Sequence, residues 1–373
     1  MIIYIILFII LLILLLKLFI KIKYPFWSIQ PVFHYYNIQY WFSDPKIIQK
    51  KLPLKNKYYD YCINFEKELN EDQKNWIFDL IKHHYLRNKI TNYIPTKKSI
   101  FEYFEKHEKP CYFSLSFHNN KLTSTMTTRP LTIYKKNEEI SIYYVDYLCV
   151  HNDYRKKGHA PNIIYTHYVN SRYRTKNLIF LFKREGKQNK IVPLASYLTY
   201  GFSLKYWKKI RLEHPMIKMH QIIKDNIEIL HHYLKTMKEK FECFILPCIS
   251  NIINLIEKKL LYVFIVMKKY KPFACYFFRN PLTYYNKKNS IDLIASVCTD
   301  DNKQDLFIKY FYDALFKIDY NPKNILIENL SYNNIILKHI LKKRSPFLVS
   351  ETAYFFYNYA SRPYLSKDIF LLN

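Results

Sequence analysis

Glycine is almost missing from this chain, with three in 373 residues, so each one present counts, and Gly158 stands in a basic turn. No low-complexity linker divides the sequence. The seven cysteines (Cys62, Cys111, Cys149, Cys243, Cys248, Cys275 and Cys298) are odd in number and form no CxxC pair. A disulfide framework is therefore not expected, and a reducing compartment fits. HExxH is absent, and the pairs His83-His84 and His231-His232 lack metal-ligand spacing, so no metal site is expected. Acidic side chains are scarce: 30 Asp and Glu face 58 Lys and Arg, a net charge of +28. Such a surface attracts nucleic acid, acyl-CoA phosphates or anionic lipid. Neither zinc-finger spacing nor an RNA-recognition signature accompanies the charge, so nucleic acid is not the expected partner. Lysine, like the abundant tyrosine (37) and phenylalanine (27), is what an AT-rich genome encodes freely.

What is present begins with an apolar run. Residues 1–20 are rich in Ile and Leu, with Lys17 their one charge, which is close to the ~20 residues that cross a bilayer. No basic segment precedes the run and no small-residue cleavage site follows it, which speaks against a removed signal peptide. Lys17, Lys21 and Lys23 lie at its C-terminal side, so the positive-inside rule places the body of the chain in the cytosol. The expectation is a single-pass membrane protein with residues 1–22 as its anchor.

Residues 23–52 read as an irregular, aromatic arm. Helical patterns at 70–86, 96–106, 158–172, 221–240, 303–317 and 333–343 are interspersed with strand patterns. The strands fall at 110–118, 120–135, 140–150, 177–183, 260–268, 272–279, 290–298, 323–328 and 352–359. The order helix, strands, helix, strand occurs twice, without a visible sequence repeat. The fold class expected is α/β (α+β), in two halves, 23–212 and 213–373, with an extensive shared interface. A monomer is expected.

The stretch from Tyr144 to Pro161 carries the most information. It reads as a buried strand, a basic turn around Arg155, Lys156, Lys157 and Gly158, and a helix start with Pro161 in the first turn, where Pro is tolerated. Backbone N–H groups and the helix dipole converge there on one point, the arrangement that holds phosphate. The residues alone leave two readings open, an anion site and a solvated loop.

Three segments resemble the N-myristoyltransferases. Tyr24-Pro25-Phe26-Trp27-Ser28-Ile29-Gln30-Pro31-Val32 is similar to that family's arm, Tyr-x-Phe-Trp-x-Thr-Gln-Pro-Val. Tyr147 to Pro161 is similar to Phe-Leu-Cys-Val-His-Lys-x-Leu-Arg-Ser-Lys-Arg-x-Ala-Pro. Tyr357-Asn358-Tyr359, followed by Asp368 to Asn373, resembles the family's Tyr-Asn-Trp and apolar C-terminus. The resemblance implies two tandem acetyltransferase-like (GNAT-like) halves with a pseudo-twofold relation. It also implies transfer of a myristoyl group from myristoyl-CoA, bound in the first half, to the N-terminal glycine amine of a peptide lying along the second. Pro25, Phe26 and Trp27 would contact CoA. Leu148, Cys149 and Val150 would line the pantetheine and thioester. Lys156, Gly158, His159 and Ala160 would cradle the phosphates. The backbone N–H groups of Tyr147 and Leu148 would form an oxyanion hole. The base would be the α-carboxylate of Asn373, whose ordinary pKa of ~3.5 must be raised by burial behind Ile369, Phe370, Leu371 and Leu372.

The chain also departs from that pattern. Asp146 stands where the family has Asn; it reads as a holder of the substrate ammonium, a second base or a strand-end cap. The family's Thr has no counterpart around Phe180-Leu181-Phe182-Lys183, and Leu198-Thr199-Tyr200-Gly201 lacks its His. An N-acyltransferase using another chain or amine, and an inactive acyl-CoA or peptide binder, are the alternatives. The family's acidic cluster for peptide lysines is replaced by Tyr85-Leu86-Arg87-Asn88-Lys89. Like charges repel, so paired peptides with Lys or Glu near the acceptor glycine are expected to show no preference for Lys; a clear Lys preference in the rates would refute this.

Overall fold

The computed structural model describes every residue except 87–89, 136–137, 176–177, 187–190, 211, 213–215, 270 and 301–302. The reversed-charge loop at Arg87-Asn88-Lys89 and the start of the second half at 213 thus lie outside the described residues.

Helix α1 (Ile2–Lys23) is the one described helix long and apolar enough to cross a membrane. At 1.5 Å per residue it spans about 33 Å. Only Ile20 is buried, and the Lys17 ammonium lies over the Tyr36 ring at 5.5 Å, so its last turns rest on the arm. Helix α2 (Glu71–His84) starts at a reciprocal cap: Asn70 Oδ1 accepts from the Gln73 N–H at 2.8 Å, and Gln73 Oε1 accepts from the Asn70 N–H at 3.0 Å.

The first half is an antiparallel meander of strands β1 (Tyr112–His118), β2 (Lys121–Lys135) and β3 (Glu138–Val150). Helix α3 (His159–Arg174) follows, then β4 (Phe180–Glu185), which pairs parallel to β3, and β5 (Ala195–Ser203). The short strand β6 (Cys243–Leu246) then joins the far edge of β2. The second half repeats the plan with the meander β7 (Leu261–Lys268), β8 (Lys271–Arg279) and β9 (Lys288–Cys298), helix α4 (Gln304–Phe316), β10 (Asn324–Glu328) parallel to β9, and β11 (Leu348–Tyr357).

The two halves exchange their last strands. β11 pairs with β4 of the first half, β5 pairs with β10 of the second, and β5 and β11 lie side by side at the centre. One sheet therefore runs through both halves. Gly201 on β5 lies where a Cβ would come within 2.9 Å of the Phe347 ring and 3.1 Å of Leu348 Cβ, so glycine lets the start of β11 approach without moving either. Each meander also carries a bulge in its third strand. Thr127 faces Tyr147 and Thr128 faces Val145, leaving Asp146 as the extra residue; Phe277 faces Ala295 and Phe278 faces Leu293, leaving Ile294.

Each helix covers its own meander. Tyr165, Tyr168 and Val169 of α3 pack with Tyr112, Tyr143 and Phe180, and Phe307, Phe311 and Leu315 of α4 with Tyr276, Phe278 and Leu293. The arm is more fixed than its composition suggests. Arg172 of α3, 1% exposed, donates to the carbonyls of Gln49, Lys50 and Lys51 at 2.8, 3.1 and 3.0 Å. The chain closes with β12 (Ile369–Leu371), parallel to β6. Phe370 in it is 1% exposed and stacks on Phe244 at 4.6 Å. Phe370→Ala is expected to cost about 3–5 kcal/mol in urea unfolding; a loss below about 1 kcal/mol would mean that the last strand lies outside the cooperative core.

Candidate active site

The three segments that are far apart in sequence meet around α3. In the arm, Phe26 is buried edge-on against Tyr58 (5.1 Å), and Trp27 stacks on Phe182 of β4 at 5.8 Å. The Tyr357 hydroxyl donates to Gln30 Oε1 at 2.5 Å, the Asn358 N–H to the Pro31 carbonyl at 2.7 Å, and Asn358 Nδ2 to the Leu178 carbonyl at 2.9 Å. The Tyr-Asn-Tyr corner is thus the clasp that holds the arm on the sheet. Pro25 is exposed and outside the cavity, with its carbonyl accepting from Ser28 Oγ.

Beneath the arm is a cavity of about 610 Å³. Phe26, Trp27, Met126, Leu148, Phe180 and Phe182 give it apolar walls, and Ala160 and Pro161 form its rim. That rim is the N-terminus of α3. Gly158 caps the helix at φ +86°, in the left-handed region, with open space where a Cβ would stand, and Lys156 is left-handed too, at φ +63°. The first N–H groups of the helix, at His159 and Ala160, have no intrahelical acceptor. The turn therefore presents donors and helix dipole at the mouth of the apolar cavity, with Lys156 exposed beside it. Cys149 faces away: its thiol donates to the Leu80 carbonyl at 3.7 Å inside the core under α2, so only its backbone can line the site. Val150 is half-buried on the strand end outside the cavity.

The bulge at Asp146 sets the backbone donors. The His151 N–H donates to the Thr123 carbonyl at 2.8 Å, which fixes odd-numbered residues from 147 onward as those facing β2. The Tyr147 N–H goes to Thr127 Oγ1 at 3.1 Å. The Leu148 N–H faces the other side. There β4 pairs only with Tyr143 and Tyr144 and has parted from β3. Leu148 thus offers a donor to the cleft, whereas Tyr147 must leave Thr127 to do so. The Tyr147 hydroxyl meets the Tyr93 hydroxyl at 2.7 Å.

A second cavity, of about 360 Å³, adjoins the first; Tyr85, Asp146 and Lys183 line both. Its walls include Tyr147, Arg279, Asp292, Glu328 and Asn373. Both Asp146 oxygens accept from Arg129 Nε at 3.0 Å, and the Arg129 guanidinium, fully buried, lies 5.4 and 5.6 Å from the Tyr103 and Tyr144 ring centres. Burial raises the Asp146 carboxyl pKa, against the pull of Arg129. Lys183 donates to Glu328 Oε1 at 2.8 Å, and the Tyr197 hydroxyl to Glu328 Oε2 at 2.6 Å. Arg279 reaches Asp292 Oδ2 at 3.0 Å and Glu328 Oε1 at 3.6 Å, and its Nη1 donates to the Asn373 main-chain oxygen and Oδ1 at 3.3 and 3.1 Å. Asn373 is 8% exposed, so the tail is buried as expected.

Sequence reasoning missed Arg129, Arg279, Asp292 and Glu328. Arg129 left a trace, as the one charge in the Thr-rich interior of β2, which the buried Asp146 required. Among the described residues no cluster of metal-ligating side chains occurs.

Two meander–helix–parallel-strand units that exchange their last strands define a tandem α/β architecture. The chain has the fold of the N-myristoyltransferases. It is similar to a Saccharomyces cerevisiae N-myristoyltransferase structure with bound myristoyl-CoA: TM-score 0.73, 14% identity, 92% of this chain and 94% of that one. A second structure of the yeast enzyme, with bound myristoyl-CoA and inhibitors, gives TM-score 0.72 at 12% identity, covering 93% of each chain. No protein-family model and no curated protein sequence matches the chain.

Removing one partner of a buried pair leaves a charge without compensation. Arg129→Met is expected to cost about 3–5 kcal/mol of stability, and R129M/D146N to recover most of it; urea unfolding of the single and double variants checks this. Equal losses in the two would show that the pair is not coupled.

Proposed function

We propose that the chain is an N-acyltransferase that moves a fatty acyl group, myristoyl by preference, from acyl-CoA to the N-terminal glycine amine of a peptide. The observation that carries this reading is the meeting of an apolar cavity, rimmed by a helix N-terminus, with a charged cavity that holds Asn373, inside the N-myristoyltransferase fold. In this reading CoA phosphates sit on the turn Lys156 to Ala160, the alkyl chain fills the apolar cavity in the half 23–212, and the peptide enters the charged cavity against 213–373. Trp27 and Phe26 close over the donor.

The thioester is already activated, so the chain has two tasks. The oxyanion must be stabilised, by the N–H of Leu148 and by that of Tyr147 once it turns from Thr127; one such donor is worth about 3 kcal/mol. The adduct nitrogen must also lose a proton, and a carboxylate at Asn373 accepts it. A variant extended by a few residues beyond Asn373, or one lacking Leu372-Asn373, then loses transfer while still binding acyl-CoA. Helix α1 holds the enzyme at a membrane as a single-pass anchor, beside the leaflet that its lipidated products join, with the body in the cytosol.

One observation favours a second reading, with another acceptor amine: Asp146, expected to stand at the family's Asn, is paired with Arg129, and β4, where the family's Thr has no counterpart, carries Lys183 paired with Glu328. The full chain in detergent micelles, given myristoyl-CoA and a library of peptides with different N-termini, is expected to acylate Gly-initiated peptides, read by mass. Transfer to other amines alone would favour the second reading, and transfer to none would overturn both. The acyl-CoA that raises Tm most reports chain length.

A further inference from the structure

Among the described residues the charged cavity is lined by four side-chain carboxylates, and two of them are committed. Both oxygens of Asp146 are taken by Arg129 Nε, and those of Glu328 by Lys183 and Tyr197. Glu185 is 60% exposed and solvated. Asp292, 7% exposed, differs: its Oδ2 is held by Arg279 at 3.0 Å, and its Oδ1 has no partner among the described residues. A buried carboxylate oxygen without a donor costs free energy unless something fills the place. Asp292 belongs to the cavity wall that Asn373 and Tyr147 also form, with Oδ1 itself buried in that wall.

Building on the function proposed above, we propose that Asp292 is the docking site for the acceptor's primary ammonium and that Oδ1 takes the first of the two protons that the nitrogen must lose. Three properties support this. An ammonium is the donor that a lone anionic oxygen binds most strongly. Arg279 fixes the carboxylate from its far side, so the free oxygen is oriented. The same Arg279 also lies on Asn373, so one guanidinium fixes two neighbouring proton acceptors. Burial pushes the Asp292 pKa up to about 6, with Glu328 adding to that rise and Arg279 and Lys183 opposing it, which suits a group that takes up a proton. The Tyr103, Tyr285 and Tyr320 hydroxyls near it have raised pKa values, burial being the main cause, and stay neutral.

The step balances. The ammonium gives one proton to Oδ1 and becomes a neutral amine with its lone pair free. That pair forms the C–N bond to the thioester carbon, and the carbonyl electrons move to the oxygen facing Leu148. The adduct nitrogen gives its extra proton to the carboxylate at Asn373. The C–S bond then breaks with its electron pair on sulfur, which takes that proton and leaves as CoA thiol. The Asp292 proton returns to water with the next turnover. Only the carboxylate form accepts a proton, so the rate must fall as pH drops through about 6.

The test uses the full chain in micelles, with Gly-initiated octapeptides and the same set N-acetylated. Asp292→Asn is expected to lower kcat/KM by about 10²-fold or more, to remove the acid limb near pH 6, and to leave the Tm shift caused by myristoyl-CoA unchanged; Asp292→Glu restores part of the rate. An Asn variant that keeps the rate and the limb overturns the proposal. Binding is measured separately, with a non-hydrolysable thioether analogue of myristoyl-CoA present. The unaltered chain is expected to prefer free over acetylated N-termini by about tenfold, and D292N to lose that preference. No preference in the unaltered chain overturns the ammonium site whether or not turnover occurs. A preference that depends on Asp292 without any acyl transfer supports the site and overturns the acyltransferase reading instead.

Discussion

Glu328 is the point on which the two halves turn. It lies 3% exposed on β10, at the seam where each half takes in the other's last strand. Lys183 reaches it from β4, Tyr197 from β5 and Arg279 from β8, so groups from both halves share one carboxylate. Burial opposes the charge on Lys183 and on Glu328, but their attraction outweighs it: the lysine pKa is raised and the glutamate pKa lowered. Such a cluster costs desolvation energy that well-packed apolar side chains would not. What it supplies is register. A one-residue slip of β5 against β10 would turn Tyr197 and Thr199 to the opposite face and strand Glu328. The exchange of strands is thereby tied to one alignment.

The repeated plan makes the differences between halves informative. Both third strands bulge at the same place, after the fold has paired them with a parallel neighbour. In the second half the extra residue is Ile294, 2% exposed in the core, and β10 stays paired with β9 up to Leu293. In the first half the extra residue is Asp146, and the last residue of β3 paired with β4 is Tyr144, two before it. The same backbone irregularity is thus filled in one half and open in the other. A bulge alone makes no site; parting strands and a helix N-terminus facing the gap are also needed. Among the described residues all three coincide around Leu148.

The strand, turn and helix from Tyr144 to Pro161 could be read in the sequence because each signal is local: alternation, a glycine before a helix and a proline in its first turn. The helices expected at 70–86 and 158–172 form at Glu71–His84 and His159–Arg174. Strands β5, β6 and β12 went unread. β6 and β12 are short, at four and three residues, and owe their form to pairing with each other and with β2. β5 carries Thr, Tyr and Gly in a pattern that makes sense only between β10 and β11. The ion pairs were beyond any local reading, since Lys183 and Glu328 are 145 residues apart. The tail was legible for a different reason: Ile369 to Leu372 is too apolar to stay in water, and it is buried.

The charges follow from the geometry of the two cavities. An apolar cavity and a polar one meet at Asp146, Lys183 and Tyr85. A reaction that joins an alkyl chain to a charged amine needs both environments within a bond length of each other, and the low dielectric of the first strengthens every charge in the second. Unpaired charges at that boundary would draw water to the thioester. Here each charged group at the boundary is neutralised by a neighbour, Asp146 by Arg129 and Lys183 by Glu328. In the proposed reaction, net charge close to zero in fixed pairs would keep water from that boundary and dipoles oriented for the amine. The charge excess of the whole chain therefore belongs to its surface, and the chemistry belongs to a few buried pairs whose sum is near zero.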